Sequence, residues 1–216
     1  MNPGTNPGLN PGLNPGLNPG TPSGSSPGPN RVVALPSLTA LEIQRAPWRE
    51  LEQRFQRGLT PDPEALIGWE FRGINHAPID AVLRLAGIKK FVKGMFRAGD
   101  GRMMGYNCPV AQNALDGRWR TLPSDAAPKR FGFYEVARVD PTGPDNHYLH
   151  ALLLDYGKGG NPLWDPSRQL RDYLVQADAG NPDLFLGKAY YAAGPARIAL
   201  SFFVLERLRR ASPVIR

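Results

Sequence analysis

Beyond Pro63 the chain breaks into eight short runs rich in Phe, Tyr, Val and Leu, at about residues 67–74, 90–97, 102–108, 130–139, 147–156, 171–177, 184–192 and 197–207. Gly, Pro, Asp and Asn separate them, which is the pattern of successive strands. Only one connection reads as helical: PIDAVLRLAG, from Pro78 to Gly87, with Pro in the first turn and Gly at the stop. A parallel sheet needs a crossover, usually a helix, after nearly every strand, so this spacing predicts an antiparallel one. AGDGR at 98–102 and AAGPA at 192–196 have hairpin length and turn chemistry. The expected fold is mainly β, an antiparallel closed barrel of about eight strands. An N-terminal helix and one short helix after the first strand accompany it.

The flanks divide the rest. Residues 1–30 carry Asn-Pro-Gly units beginning at Asn2, Asn6, Asn10, Asn14 and Asn18, with no charge and almost no apolar side chain. Each unit favours a turn, but nothing lets successive turns bury a face, so a disordered low-complexity tether is expected. Residues 31–62 form a helical segment, SLTALEIQRAPWRELEQRFQRG, with Ser37 as cap, Pro47 as interruption and Gly58 as stop. Leu41, Trp48, Leu51 and Phe55 recur at helical spacings and form a packing stripe. Residues 63–210 make the barrel domain and 211–216 a C-terminal tail.

No apolar run approaches the ~20 residues of a membrane-spanning helix, and the N-terminus lacks a basic stretch followed by an apolar one. These features predict a soluble, cytoplasmic protein without a transmembrane segment. The single cysteine, Cys108, excludes an intramolecular disulfide and a Cys-rich zinc site. The formal net charge is +7, but the charges are scattered. The one dense cluster, Glu206, Arg207, Arg209 and Arg210, reads as a solvated tail, and no nucleic-acid partner is expected.

Strand alternation sharpens the barrel reading. Ile198, Leu200, Phe202 and Val204 share one face of the last strand, while Ala199, Ser201, Phe203 and Leu205 occupy the other. Strands apolar on both sides fit a barrel whose outside is covered by helices and whose inside holds side chains or one small ligand. A filled barrel and a sandwich remain the alternatives.

Gly68, Trp69, Phe71 and Gly73 stand on the first strand, and the last ends in SFFVLER with Arg207. This arrangement resembles lipocalin-like (calycin) barrels, in which a Gly-x-Trp element on the first strand packs near a basic residue from the final strand. It is also similar to small bacterial domains of the GXWXG type, although Gly68 and Trp69 are adjacent here. The resemblance implies that Trp69 and Arg207 close one end of a barrel spanning about residues 67–207.

Binding or carriage of a small hydrophobic or amphipathic molecule is the leading expectation. Trp69, Phe71, Tyr106, Tyr173, Tyr190 and Ser201 are the candidate ligand-binding residues, and His76, Cys108 and His150 the candidate polar groups of the cavity. Cys108 is also readable as a buried structural residue, and Asp155 as a turn-former. His147 and His150, three apart, would point to opposite faces of a strand and share no metal. GKGG at 157–160 lacks the spacing of a phosphate-binding loop and reads as a strand-end loop. Two alternatives stay open: an enzyme using His, Cys and Asp in acid–base chemistry, and a haem-binding barrel with one axial histidine. The residues name no cofactor and no oligomeric state.

Overall fold

In the computed structural model, residue 1, residues 38–77 and residues 87–214 are described. The Asn-Pro-Gly segment, the Ser37 cap and the expected helix after the first strand fall outside them, apart from Met1 and Gly87 at their edges. Eight antiparallel strands close into a barrel in strict sequence order. They are β1 (Trp69–His76), β2 (Lys90–Arg97), β3 (Met103–Pro109), β4 (Phe131–Arg138), β5 (Leu152–Asp155), β6 (Leu170–Asp178), β7 (Asn181–Ala193) and β8 (Ala196–Arg210). Every strand expected from the residue pattern is present. The fifth is much shorter than expected, because residues 148–151 form a turn in which the Ala151 N–H donates to the Tyr148 carbonyl at 3.0 Å.

The N-terminal helix is two helices, α1 (Leu38–Arg45) and α2 (Trp48–Arg57), with Pro47 as the N-cap residue of the second. Pro has no backbone N–H and disfavours the helical conformation in the residue before it, so the break falls at Ala46–Pro47. Both helices lie on the outer face of β6–β8. Ile43, Leu51 and Phe55 join Val175, Leu186, Phe202 and Val204 in one apolar cluster, and the Trp48 ring meets Phe202 edge-on at 4.6 Å. A second outer layer comes from the connection 110–130, whose Trp119 packs with Ile74, Val92, Tyr106 and Cys108 on β1–β3. The Lys90 ammonium lies 3.6 Å from the Trp119 ring centroid and donates to the Ala114 carbonyl, which pins that connection. Two covered outer faces explain why so many strands are apolar on both sides.

The inward-facing residues form a third cluster, with Phe71, Met95, Val136, Leu174, Phe185 and Leu205 filling one end of the lumen. A single turn of helix, α3 (Pro63–Leu66), caps that end and contributes Leu66 to the same cluster. Here the Trp69 indole is flanked by two guanidinium groups, Arg207 at 4.5 Å and Arg210 at 3.9 Å from its ring centroid. Arg207 also donates to the Ala65 carbonyl at 3.1 Å, which ties the last strand to α3. Among the described residues no helix is long and apolar enough to cross a membrane.

Candidate functional site: a polar cluster at the floor of the lumen

Two glycines shape the opposite end of the lumen. A Cβ on Gly73 would lie 2.3 Å from the Phe91 ring, and one on Gly187 would lie 2.0 Å from the Phe203 ring. Glycine at these places lets each ring lie flat across the neighbouring strand instead of filling the lumen. The rings, 6.0 Å apart, become walls of a cavity of about 370 Å³ that also meets Leu170 and Ala189. Its rim carries Ile88, Phe131, Leu200 and Ser201, and its floor is Lys93, Asn107, Tyr156 and Asp172.

The floor is a closed set of hydrogen bonds. Lys93 Nζ donates to Asn107 Oδ1 at 3.0 Å, to Tyr156 Oη at 2.5 Å and to Asp172 Oδ2 at 3.1 Å. Tyr156 Oη donates to Asp172 Oδ2 at 3.1 Å, and Asn107 Nδ2 reaches Tyr156 Oη at 3.2 Å and the Gly132 carbonyl at 2.9 Å. Register brings these residues together: Lys93 faces Asn107 across β2–β3, and Asp172 faces Ala189 across β6–β7. Tyr156 lies just beyond β5 in a short 3-10 turn, which Asn161 clamps by bonding both backbone groups of Phe133 and the Tyr156 carbonyl. Gly159 in that turn passes so close to β4 that a Cβ would meet the Phe133 carbonyl at 1.8 Å.

Lys93 is only 2 % exposed. Burial pushes its amine below the ordinary lysine value, while the adjoining Asp172 carboxylate pulls the other way. The Tyr156 and Tyr134 hydroxyls are pushed well above the usual phenol range, by burial first and the Asp172 charge second. Lys93 also sits 4.6 Å from the Tyr134 ring centroid, so the charge rests on an aromatic face as well as on the carboxylate. A buried ion pair is a poor way to stabilise a core, since well-packed apolar residues do as well or better. One set at the floor of an apolar cavity has the form of a recognition site. Ser167 Oγ, buried and without a hydrogen-bond partner among the described residues, adds one more polar atom among the lining residues.

A larger groove of about 470 Å³ runs over the outer surface between Asp145, Asp155, Lys158 and Arg171. Its charges are already engaged: Arg171 pairs with Asp145 and Asp155 at 3.1 Å each, and Lys158 with Glu135 at 3.6 Å. A groove with neutralised walls offers a ligand less than the mainly apolar lumen does.

The residues singled out from the sequence divide by face. Ser201 lines the cavity. Phe71 points into the lumen but lies deeper, edge-on to Phe185 at 5.5 Å, and Trp69 is at the capped end. Tyr106, Tyr173 and Tyr190 face outward: Tyr106 donates to Glu70 Oε1 at 2.9 Å, and Tyr190 meets Tyr148 hydroxyl to hydroxyl at 2.6 Å beneath α2. Cys108 is buried on the outer face under the 110–130 connection. His76 Nδ1 is 2.8 Å from the Gln44 carbonyl, and His150 Nε2 is 3.1 Å from the Phe55 carbonyl, so both imidazoles tie the helices to the barrel from outside. Alternation could not separate these groups, because both faces are equally apolar. Lys93, Asn107, Tyr156 and Asp172 were missed, although FVKGMF and LRDYLV each show a charged residue interrupting an inward-facing series.

In comparisons with known proteins, no family model, no curated protein and no solved structure matches the chain.

Proposed function

We propose that the protein binds a small, largely apolar molecule carrying an uncharged polar head, and that the head lies on the Lys93–Asp172–Tyr156–Asn107 floor while the apolar body lies along the wall formed by the Phe91 and Phe203 rings. The observation that carries this reading is a charge-balanced polar cluster at the base of an apolar cavity of about 370 Å³. A cavity near the lower end of the ~300–1,000 Å³ range of ligand sites suits a compact molecule. Because Lys93 and Asp172 already neutralise each other at 3.1 Å, a carboxylate head would face the Asp172 charge and an amine head the Lys93 charge. A hydroxyl, carbonyl or amide meets neither penalty and can exchange hydrogen bonds with the cluster.

A lipocalin-like relationship is supported by the closed eight-stranded meander and by Arg207 stacking on Trp69 between the first and last strands. The haem alternative finds little support, since the chain's three histidines all stand outside the lumen. Acid–base chemistry on this barrel would run through Tyr156, Asp172 and Lys93, the titratable groups that line the cavity, and not through histidine or cysteine.

The test is calorimetric titration with four molecules of one chain length: an alcohol, a primary amide, a carboxylate and an amine. The alcohol and amide should bind one per chain and at least about tenfold more tightly than the two ions, a difference of ~1.4 kcal/mol. Preferred binding of the carboxylate or the amine, or no binding by any of the four, would refute the reading.

A further inference from the structure

The exposed large apolar side chains are not spread over the barrel. Ile88 just before β2, Leu122 bonded to the Pro109 carbonyl at the end of β3, Leu163 and Trp164 between β5 and β6, and Ile198 at the start of β8 all lie toward the cavity end, with Phe131 and Leu200 on the rim itself. Elsewhere in the described part of the folded domain, only Leu59 and Leu149 are comparably exposed.

The most exposed of all are adjacent, Leu163 at 88 % and Trp164 at 84 %. They are held out by design of the loop. The Asp165 N–H donates to the Pro162 carbonyl at 3.0 Å, closing a turn that places Leu163 and Trp164 at its two corners. The Asp165 carboxylate accepts from the Ser167 N–H at 2.8 Å, and Arg168 donates to the Asn161 carbonyl at 2.7 Å, so both feet of the turn are fixed. Ser167 itself lines the cavity, which puts the turn beside the mouth.

Charge on the 110–130 connection is lopsided. Arg118, Arg120 and Lys129 have no ion-pair partner among the described residues, whereas Asp125 is taken up by Arg209 at 2.9 Å. A rim of Trp, Leu, Ile and Phe among an excess of Arg and Lys matches the interface of an anionic bilayer, where apolar side chains enter the headgroup boundary and cations remain at the surface. A soluble protein partner would be met by an apolar patch too, but the cationic surround argues for the lipid.

We infer that the mouth of the barrel docks on anionic lipid surfaces, with Leu163 and Trp164 inserting as the anchor and the surrounding Arg and Lys side chains engaging headgroup phosphates. The surface docks whether or not the lumen is filled, so the inference stands apart from the ligand reading. In the docked pose the cavity opens toward the acyl chains.

The experiment is vesicle flotation of the full chain without added ligand, using phosphatidylcholine alone and phosphatidylcholine mixed with phosphatidylserine, together with tryptophan emission. Binding should occur on the mixed vesicles, weaken on the zwitterionic ones, fall with added salt, and shift emission to the blue. Leu163→Ser with Trp164→Ser, both at exposed corners, should lower partitioning roughly tenfold or more, and Arg120→Gln with Lys129→Gln should lower it only on the anionic vesicles. The Lys93→Met with Asp172→Asn variant, altered only in the lumen, should dock normally, which separates this result from failure of ligand binding. No flotation with either vesicle would overturn the inference, as would flotation indifferent to the Leu163 and Trp164 changes. Self-association abolished by those changes, without vesicle binding, would overturn it in favour of a protein interface.

Discussion

Removing Asp172 alone should damage the protein far more than removing Asp172 and Lys93 together. Asp172→Asn leaves a 2 % exposed ammonium with two neutral acceptors, Asn107 and Tyr156, in place of a carboxylate at 3.1 Å. Breaking one side of a buried pair costs about 3–5 kcal/mol, which lowers the melting temperature by roughly 10 °C in a domain of this size. Lys93→Met should cost somewhat less, since Tyr156 still donates to the remaining carboxylate. The double variant retains shape and loses both charges, so it should lie within about 1 kcal/mol of the parent, giving a coupling of ~3 kcal/mol or more. The pH dependence has a definite sign. Burial lowers the Lys93 amine in the folded state, so between that value and the ordinary ~10.4 the unfolded chain holds more protons and stability rises with pH. Asp172→Asn removes the charge opposing that depression and extends the window downward, so its deficit against the parent should shrink as pH rises from about 7 to about 9.5. Urea unfolding of the four proteins at both pH values measures each quantity. Additive single effects, or a deficit that grows with pH, would show that the two charges are not coupled as described.

Other perturbations probe the rest of the barrel. Trp69→Ala should destabilise by about 3 kcal/mol or more, whereas Arg207→Ala should cost ~0.5–2 kcal/mol because Arg210 still covers the indole; equal effects in thermal unfolding would contradict this. Ser201→Phe places a ring at the cavity and should abolish ligand binding with little loss of stability; a loss of about 1–3 kcal/mol, the usual result of overpacking, would mean the space is filled already. The Cys108 thiol, pushed up to about 12 by burial and then by the Glu70 charge, should resist alkylation in the folded protein near about pH 8, and rapid modification without unfolding would place it elsewhere.

The barrel was legible because turn chemistry and apolar runs are local signals. The residues between β2 and β3 and between β7 and β8 announce hairpins without reference to anything distant, and Pro47 announces its own break. The site was less legible. Choosing the inward face requires knowing what covers the outward one, and here α1, α2 and the 110–130 connection make the outer face as apolar and as aromatic as the lumen. Tyr106, Tyr173 and Tyr190 drew attention as ligand walls, yet their parity sends them under those covers. Lys93 and Asp172 lie 79 residues apart and mean nothing singly; only closure of the sheet brings them to hydrogen-bonding distance. Tyr156 is harder still, since its place depends on a 3-10 turn fixed by Asn161 and Gly159.

The central claim is that a neutral head group rests on the Lys93–Asp172 floor. A crystal structure of the protein with the tightest-binding alcohol or amide tests it most directly. The head oxygen should lie within about 3 Å of Lys93, Asp172 or Tyr156, with the chain running along the Phe91 and Phe203 rings toward the mouth. A ligand reversed in the lumen, with its head at the rim and no contact to the floor, or one seated in the outer groove beside Arg171, would contradict it.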